Sequence, residues 1–129
     1  MKWLKLYLIV LPVLFTACKN DAGEGGKASV QGDVFVKEYD ILGELTNEYP
    51  AEEERVYIIY GDDSSKFYDD WVRTSYDGSF LFDYLYEGDY HVFTYTNCDT
   101  CASGKQALMQ SITISDKDEV VVLPSFEIN

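Results

Sequence analysis

Basic side chains, histidine, proline and cysteine are all scarce in this chain of 129 residues. Ten lysines and arginines stand against 23 acids, which gives a formal net charge of −13. This balance repels phosphate backbones and argues against nucleic-acid binding. One histidine and three cysteines leave little from which to build a catalytic triad or a zinc site, and the sequence has no nucleophile elbow or phosphate-binding loop. We therefore predict a protein that is not an enzyme and that holds no cofactor.

The N-terminal apolar run, residues 6–15, is too short for a membrane-spanning helix, which needs roughly 20 apolar residues. It follows a short basic start and ends in small residues before Cys18. This layout is typical of a secretory signal peptide, here residues 1–17. Residues 15–18 (Phe-Thr-Ala-Cys) resemble the lipobox of bacterial lipoproteins, which implies cleavage before Cys18 and a lipid, such as palmitate, on that residue. The alternative is an ordinary cleaved signal peptide.

Residues 18–27 are small, polar and glycine-rich, which is typical of a flexible tether. Asn20, Asp21 and Glu24 resemble the acidic signal that directs some Gram-negative lipoproteins to the outer face of the outer membrane. We therefore expect a lipid-anchored protein of the outer membrane, on its periplasmic or cell-surface face. The remaining residues, 28–129, suit one compact domain, because 47% of the chain is hydrophobic and 16% is aromatic.

From residue 28 onward the sequence consists of short runs of β type. They alternate apolar and polar residues, are rich in valine, isoleucine, tyrosine and phenylalanine, and are bounded by turn residues. Only residues 49–55 could form a single helical turn. We predict an all-β sandwich of about seven strands. The runs lie at 30–36, 56–60, 80–84, 90–96, 108–114 and 119–123.

Residues 74–92 carry the pattern Thr-x-x-Asp-Gly-x-Phe-x-Phe-x-x-Leu-x-x-Gly-x-Tyr-x-Val. This pattern resembles that of carboxypeptidase-regulatory-like domains and of the B-type repeats of collagen adhesins. The resemblance covers about residues 28–96, and it implies a transthyretin-like (prealbumin-like) sandwich that serves as a non-catalytic module. The residues add their own indications: Asp77-Gly78 is typical of a hairpin turn, and Phe80 and Phe82 should fill the core.

Cys98 and Cys101 form a C-x-x-C pair after a predicted strand. Outside the cytoplasm such a pair can be a disulfide, a redox centre or half of a metal site. We favour a disulfide that fixes the shape of a loop. A second ligand pair for zinc is missing, and the acidic, strand-rich surroundings would not lower a thiol pKa.

Four acids lie on one connection between predicted strands: Asp62, Asp63, Asp69 and Asp70. Calcium prefers several carboxylate and carbonyl oxygens on a flexible loop, so these are candidate ligands. Their spacing does not match an EF-hand, however. The alternative is a solvated turn without metal.

Tyr68 and Trp71 are candidate ligand-binding residues, because exposed aromatic rings can stack on sugar rings. Aromatic residues in short strands also pack in cores and across strands, which is the alternative. Other tyrosines that could join them are Tyr57, Tyr76, Tyr84, Tyr86 and Tyr95.

Two functions therefore fit the sequence. The first is a non-catalytic structural or protein-interaction module. The alternative is a carbohydrate-binding accessory module of a surface glycan-uptake system. A binding module should present several exposed aromatic rings on one face, whereas a spacer should bury nearly all of them.

Overall fold

The computed structural model describes residues 20–129, and they form an all-β sandwich of two sheets, which confirms the predicted fold class. The predicted signal peptide at 1–17 and the predicted lipidation site, Cys18, lie outside the described residues. Within residues 20–129, no helix is long and apolar enough to cross a membrane. The strands are β1 (Glu24–Tyr39), β2 (Leu45–Pro50), β3 (Arg55–Tyr60), β4 (Asp70–Arg73), β5 (Ser79–Leu85), β6 (Gly88–Asn97), β7 (Lys105–Ile114), β8 (Val120–Val122) and β9 (Phe126–Ile128).

The long strand β1 organises the first sheet. Its first half pairs antiparallel with β5 and parallel with β8. Its second half pairs antiparallel with β2 and parallel with β9. The second sheet is antiparallel throughout, in the order β4-β3-β6-β7. Side chains on the inner faces of both sheets form one apolar core.

The prediction of a flexible tether at 18–27 is wrong for its last four residues, because residues 24–27 belong to β1. Their glycines allow strands to approach closely: a Cβ on Gly26 would lie 2.1 Å from the carbonyl oxygen of Leu85. The preceding Gly23 is also tied down, since its N–H donates a hydrogen bond of 2.9 Å to the Tyr90 hydroxyl. Here the glycine-rich composition serves packing and not flexibility.

The predicted core positions in β5 are confirmed for Phe80 and Phe82, both of which are buried. The alternation then breaks at Tyr84, which is exposed and has a φ of 58°. This left-handed conformation turns the chain, so that Leu85 enters the core in its place.

Two local predictions are wrong. The turn at Asp77-Gly78 exists, but the strands that it joins, β4 and β5, belong to different sheets, so it is not a hairpin. Residues 49–55 form no helical turn: Tyr49 and Pro50 pair with β1. Glu53 then adopts a φ of 54°, which a right-handed helix does not allow.

Candidate functional site

A row of large side chains crosses the second sheet. In the strand register, Trp71 of β4 lies opposite Tyr57 of β3, Tyr57 lies opposite Phe93 of β6, and Phe93 lies opposite Met109 of β7. Directly opposed residues point to the same side of a sheet. Val92, next to Phe93, points into the core, so the row lies on the outer face.

Tyr57 is the centre of an aromatic cluster on this face. Its ring is 5.0 Å from that of Phe93, with an angle of 17° between the ring planes. The Tyr68 ring lies 4.7 Å from Tyr57 and the Tyr95 ring 5.7 Å from it. We define the aromatic face by five residues: Tyr57, Tyr68, Trp71, Phe93 and Tyr95.

The aromatic face is partly open to solvent. Tyr68 is 46% exposed, and Trp71 and Tyr95 are each 39% exposed. Phe93 is buried beneath its neighbours, and Tyr57 is half-buried. The inner rings thus support Tyr68 and Tyr95, while Trp71 lies beside Tyr57 in the register, and all three outer residues are partly exposed.

Two arginines flank Trp71. Arg55 of β3 and Arg73 of β4 lie opposite each other in the register. Their Cζ atoms lie 4.7 and 5.9 Å from the centre of the Trp71 ring, within the range of cation–π attraction. Arg73 also forms an exposed ion pair of 3.8 Å with Glu53.

His91 lies on the outer side of β6, next to the aromatic face. It is only 9% exposed, and its Nδ1 lies 2.6 Å from the Ser111 hydroxyl oxygen. Its Nε2 is buried and has no hydrogen-bond partner among the described residues. The pair therefore lacks the acid that orients the imidazole in hydrolytic triads.

Cys98 and Cys101 form a disulfide, as predicted. It closes the tip of the β6–β7 hairpin, where Cys98 N–H donates a hydrogen bond of 2.9 Å to the Gly104 carbonyl. Because Arg55 begins β3 and Arg73 ends β4, both arginines lie at the same end of the sheet as this hairpin.

The acidic connection between β3 and β4 makes local hydrogen bonds. The Asp63 carboxylate accepts bonds from the Ser65 hydroxyl at 2.6 Å and the Ser65 N–H at 3.0 Å, which lower the pKa of Asp63. Asp69 accepts a bond from the Tyr60 N–H at 2.7 Å. Asp70 accepts one from the N–H of the residue that follows it.

These acids are not grouped as the ligands of a metal ion are. Across residues 20–129, no three or more histidine, cysteine, aspartate or glutamate side chains are grouped to hold a metal ion. Asp62 instead lines a shallow cavity of about 500 Å³ with Asp21, Glu87 and Asp89. The structure therefore does not bring together the four candidate calcium ligands, Asp62, Asp63, Asp69 and Asp70.

The structure places the two candidate ligand-binding residues beside Tyr57: the Tyr68 ring, on the β3–β4 connection, contacts the Tyr57 ring, and Trp71 lies opposite Tyr57 in the register. The sequence analysis missed Phe93 and the two arginines. One signal was present: Tyr90 and Val92 lie on one face of β6, and Phe93 and Tyr95 on the other, so both faces carry large apolar or aromatic side chains. A strand of an antiparallel sheet with two apolar faces either is covered on both sides or offers one side to a ligand.

Comparison with solved structures shows the same fold at low sequence identity. The first is the crystal structure of a "putative carbohydrate binding protein" from Pseudomonas aeruginosa. It has a TM-score of 0.52 and 12% identity, over 82% of this chain and 91% of that chain. The crystal structure of (S)-allantoin synthase has a TM-score of 0.43 and 16% identity, over 79% of this chain and 42% of that chain, and is too distant to support any argument. No protein-family model matches the sequence, and no curated protein matches it.

Proposed function

We propose that this protein is a non-catalytic carbohydrate-binding module that is held outside the cytoplasm by a lipid. One observation carries the proposal: Tyr68, Trp71 and Tyr95 present partly exposed rings on one sheet face. This is the feature that distinguishes a binding module from a spacer. The carbohydrate-binding function is therefore favoured over the purely structural one.

The geometry suits a sugar ligand. A sugar ring has an apolar face of C–H groups, and an aromatic ring can cover this face while hydroxyl groups stay in water. Tyr57 packs against Tyr68 and Tyr95, and the two arginines pack against Trp71. These contacts restrict the exposed rings, so little conformational entropy is lost on binding. The name of the structurally similar protein from Pseudomonas aeruginosa agrees with this proposal. At 12% sequence identity, however, the similarity shows only that the two proteins share a fold.

The binding proposal is tested by isothermal titration of the full chain against a panel of soluble polysaccharides. Trp71→Ala should weaken binding at least about tenfold, or about 1.4 kcal/mol, because it removes an exposed ring from the face. Tyr76→Ala is the matched control, since Tyr76 is 83% exposed but lies on the β4–β5 connection. Equal affinity of both variants for every ligand, or no binding by the wild type, contradicts the proposal.

The lipid anchor on Cys18 is part of this proposal and has its own test. Cells are fed a fatty acid that carries an alkyne, and the protein is recovered from the membrane fraction. The wild type should carry the label, and Cys18→Ala should not carry it. An unlabelled wild type that is released without detergent contradicts the anchor and the predicted place in the outer membrane.

A protein-interaction module is the second candidate. The β1–β2 hairpin projects Ile41, which is fully exposed, and Leu42, which is 80% exposed. Apolar side chains at such a tip suit a pocket on another protein. Cross-linking in intact cells tests this function: Ile41→Ser with Leu42→Ser should abolish a specific cross-link that Trp71→Ala retains.

A further inference from the structure

We propose that the carbohydrate bound on the aromatic face carries anionic groups, which the two arginines beside Trp71 recognise. This inference rests on the proposed function and names the class of ligand. Arg55 and Arg73 are the only arginines in the chain. Both lie against Trp71.

The two arginines oppose the charge of the whole molecule. The chain carries −13 overall, so an anionic polymer has no general attraction to it. Arg55 and Arg73 nevertheless lie directly opposite each other. Like charges in directly opposed positions destabilise a sheet. An anion placed between the two guanidinium groups would turn this repulsion into attraction.

The acidic side chains near the two arginines do not hold them in strong ion pairs, so both can bind a ligand anion. Arg55 forms no salt bridge with any residue in the range 20–129. Arg73 is paired only with Glu53, at 3.8 Å, and both side chains are exposed. An exposed pair of this kind contributes little to stability, so a ligand anion can displace Glu53 at small cost.

The chemistry of arginine fits carboxylate and sulfate groups. A guanidinium group donates two parallel hydrogen bonds to such an anion, whereas a lysine acts as a point charge. Stacking on Trp71 holds each guanidinium near the indole. A sugar ring packed on the exposed rings of the aromatic face beside Trp71 would therefore place its substituents within reach of Arg55 and Arg73.

The test compares pairs of polymers that share a backbone and differ in charge. One pair is polygalacturonate and its methyl ester, which tests carboxylate; the other is dextran sulfate and dextran, which tests sulfate. The full chain carries Trp3→Phe, so that Trp71 is its only tryptophan and its fluorescence reports this site. At low salt we expect at least about tenfold tighter binding of one acidic polymer than of its neutral partner, and a smaller difference at high salt.

Variants separate local recognition from general charge. Arg55→Gln with Arg73→Gln should reduce the preference for the acidic polymer to about onefold, where the preference is the ratio of its affinity to that of the neutral polymer in the same variant. Lys27→Gln with Lys117→Gln removes the same charge from exposed sites outside the aromatic face and should retain the preference. Thermal melts of both double variants establish that each is folded.

Each remaining outcome has a distinct meaning. Equal binding of acidic and neutral polymers overturns the anionic ligand and leaves the carbohydrate-binding function intact. An acidic preference that survives the arginine substitutions also overturns the inference, because the anion is then recognised elsewhere. If no polymer changes the Trp71 fluorescence or binds by calorimetry, the proposed function fails and the inference fails with it.

Discussion

Gly78 shows how one residue fixes the crossing between the two sheets. Its φ is +80°, and a Cβ at this position would lie 2.5 Å from the carbonyl oxygen of Val34. That carbonyl accepts a hydrogen bond from the Ala51 N–H, and the Val34 N–H donates to the Gly78 carbonyl. A side chain at Gly78 would therefore disturb β1 as well as its own turn.

Gly78→Ala should lower the free energy of unfolding by about 2–4 kcal/mol, from backbone strain and the clash together. Gly43→Ala is a matched control, because Gly43 also has a φ of +80° but a Cβ there would have no neighbouring atom within 4 Å. This control should lose about 1 kcal/mol from strain alone. Urea denaturation measures both values, and equal losses would contradict the role of the close approach.

Tyr90 joins the start of the described chain to the core. Its buried hydroxyl accepts a hydrogen bond of 2.9 Å from the Gly23 N–H and donates one of 2.6 Å to the Tyr86 carbonyl. Tyr90→Phe leaves the Gly23 N–H without this partner and should cost about 1–3 kcal/mol. Tyr84→Phe, at an exposed position, should cost almost nothing in the same urea experiment.

At the residue scale, the sequence predicted single positions better than groups. Tyr68 and Trp71 were recognisable as candidate ligand-binding residues from their type alone. Phe93 joins them through the register between β3 and β6, which pairs positions 30 to 36 residues apart. Arg55 joins them through the register between β3 and β4. Local sequence patterns carry no information on such a register, so the complete aromatic face could not be predicted.

The disulfide hairpin is the smallest closed element of the fold. Cys98 and Cys101 lie three positions apart, with their Cα atoms separated by 5.4 Å. In the chain-entropy account, so small a ring contributes about 2 kcal/mol at most. Cys98→Ser with Cys101→Ser should therefore lower the melting temperature only modestly and leave the β-sheet circular dichroism unchanged. Loss of the β-sheet signal would instead show that the fold of the sandwich depends on this disulfide.

The strands that could not be recognised from the sequence are short. β2, β4 and β9 are six, four and three residues long, and β2 is exposed throughout. β2 and β4 bury little, so they lack the apolar alternation by which the longer strands were recognised. β9 does alternate, with Phe126 and Ile128 buried on either side of Glu127, but three residues are too few to be recognised as a strand. The parallel pairing of β8 and β9 with β1 also could not be predicted from the sequence, because it joins the two ends of the domain.

At the scale of the molecule, the partly buried Tyr60 and the buried Tyr90 should make the free energy of unfolding fall in alkali. Burial, and to a lesser degree Glu24, raise the pKa of Tyr60; burial raises the pKa of Tyr90. The folded state therefore keeps these protons at a pH where the unfolded chain releases them, near pH 10. Their contribution to stability is complete below about pH 10 and is lost as pH rises further.

Urea denaturation at a series of pH values measures this effect. The free energy of unfolding should fall steadily above about pH 10, and the fall should be smaller in Tyr60→Phe. The net charge of −13 adds self-repulsion as more tyrosines ionise, in the same direction. A stability that stays level up to about pH 12 would contradict the burial of these hydroxyl groups.

Nuclear magnetic resonance shows residue by residue whether a carbohydrate occupies the aromatic face, as we propose. Backbone amide signals of the ¹⁵N-labelled protein are followed while a binding polysaccharide is added. We expect the largest shifts on Tyr57, Trp71 and Phe93, with little change at Ile41 on the β1–β2 hairpin. Shifts confined to that hairpin, or spread evenly over the molecule, would contradict it.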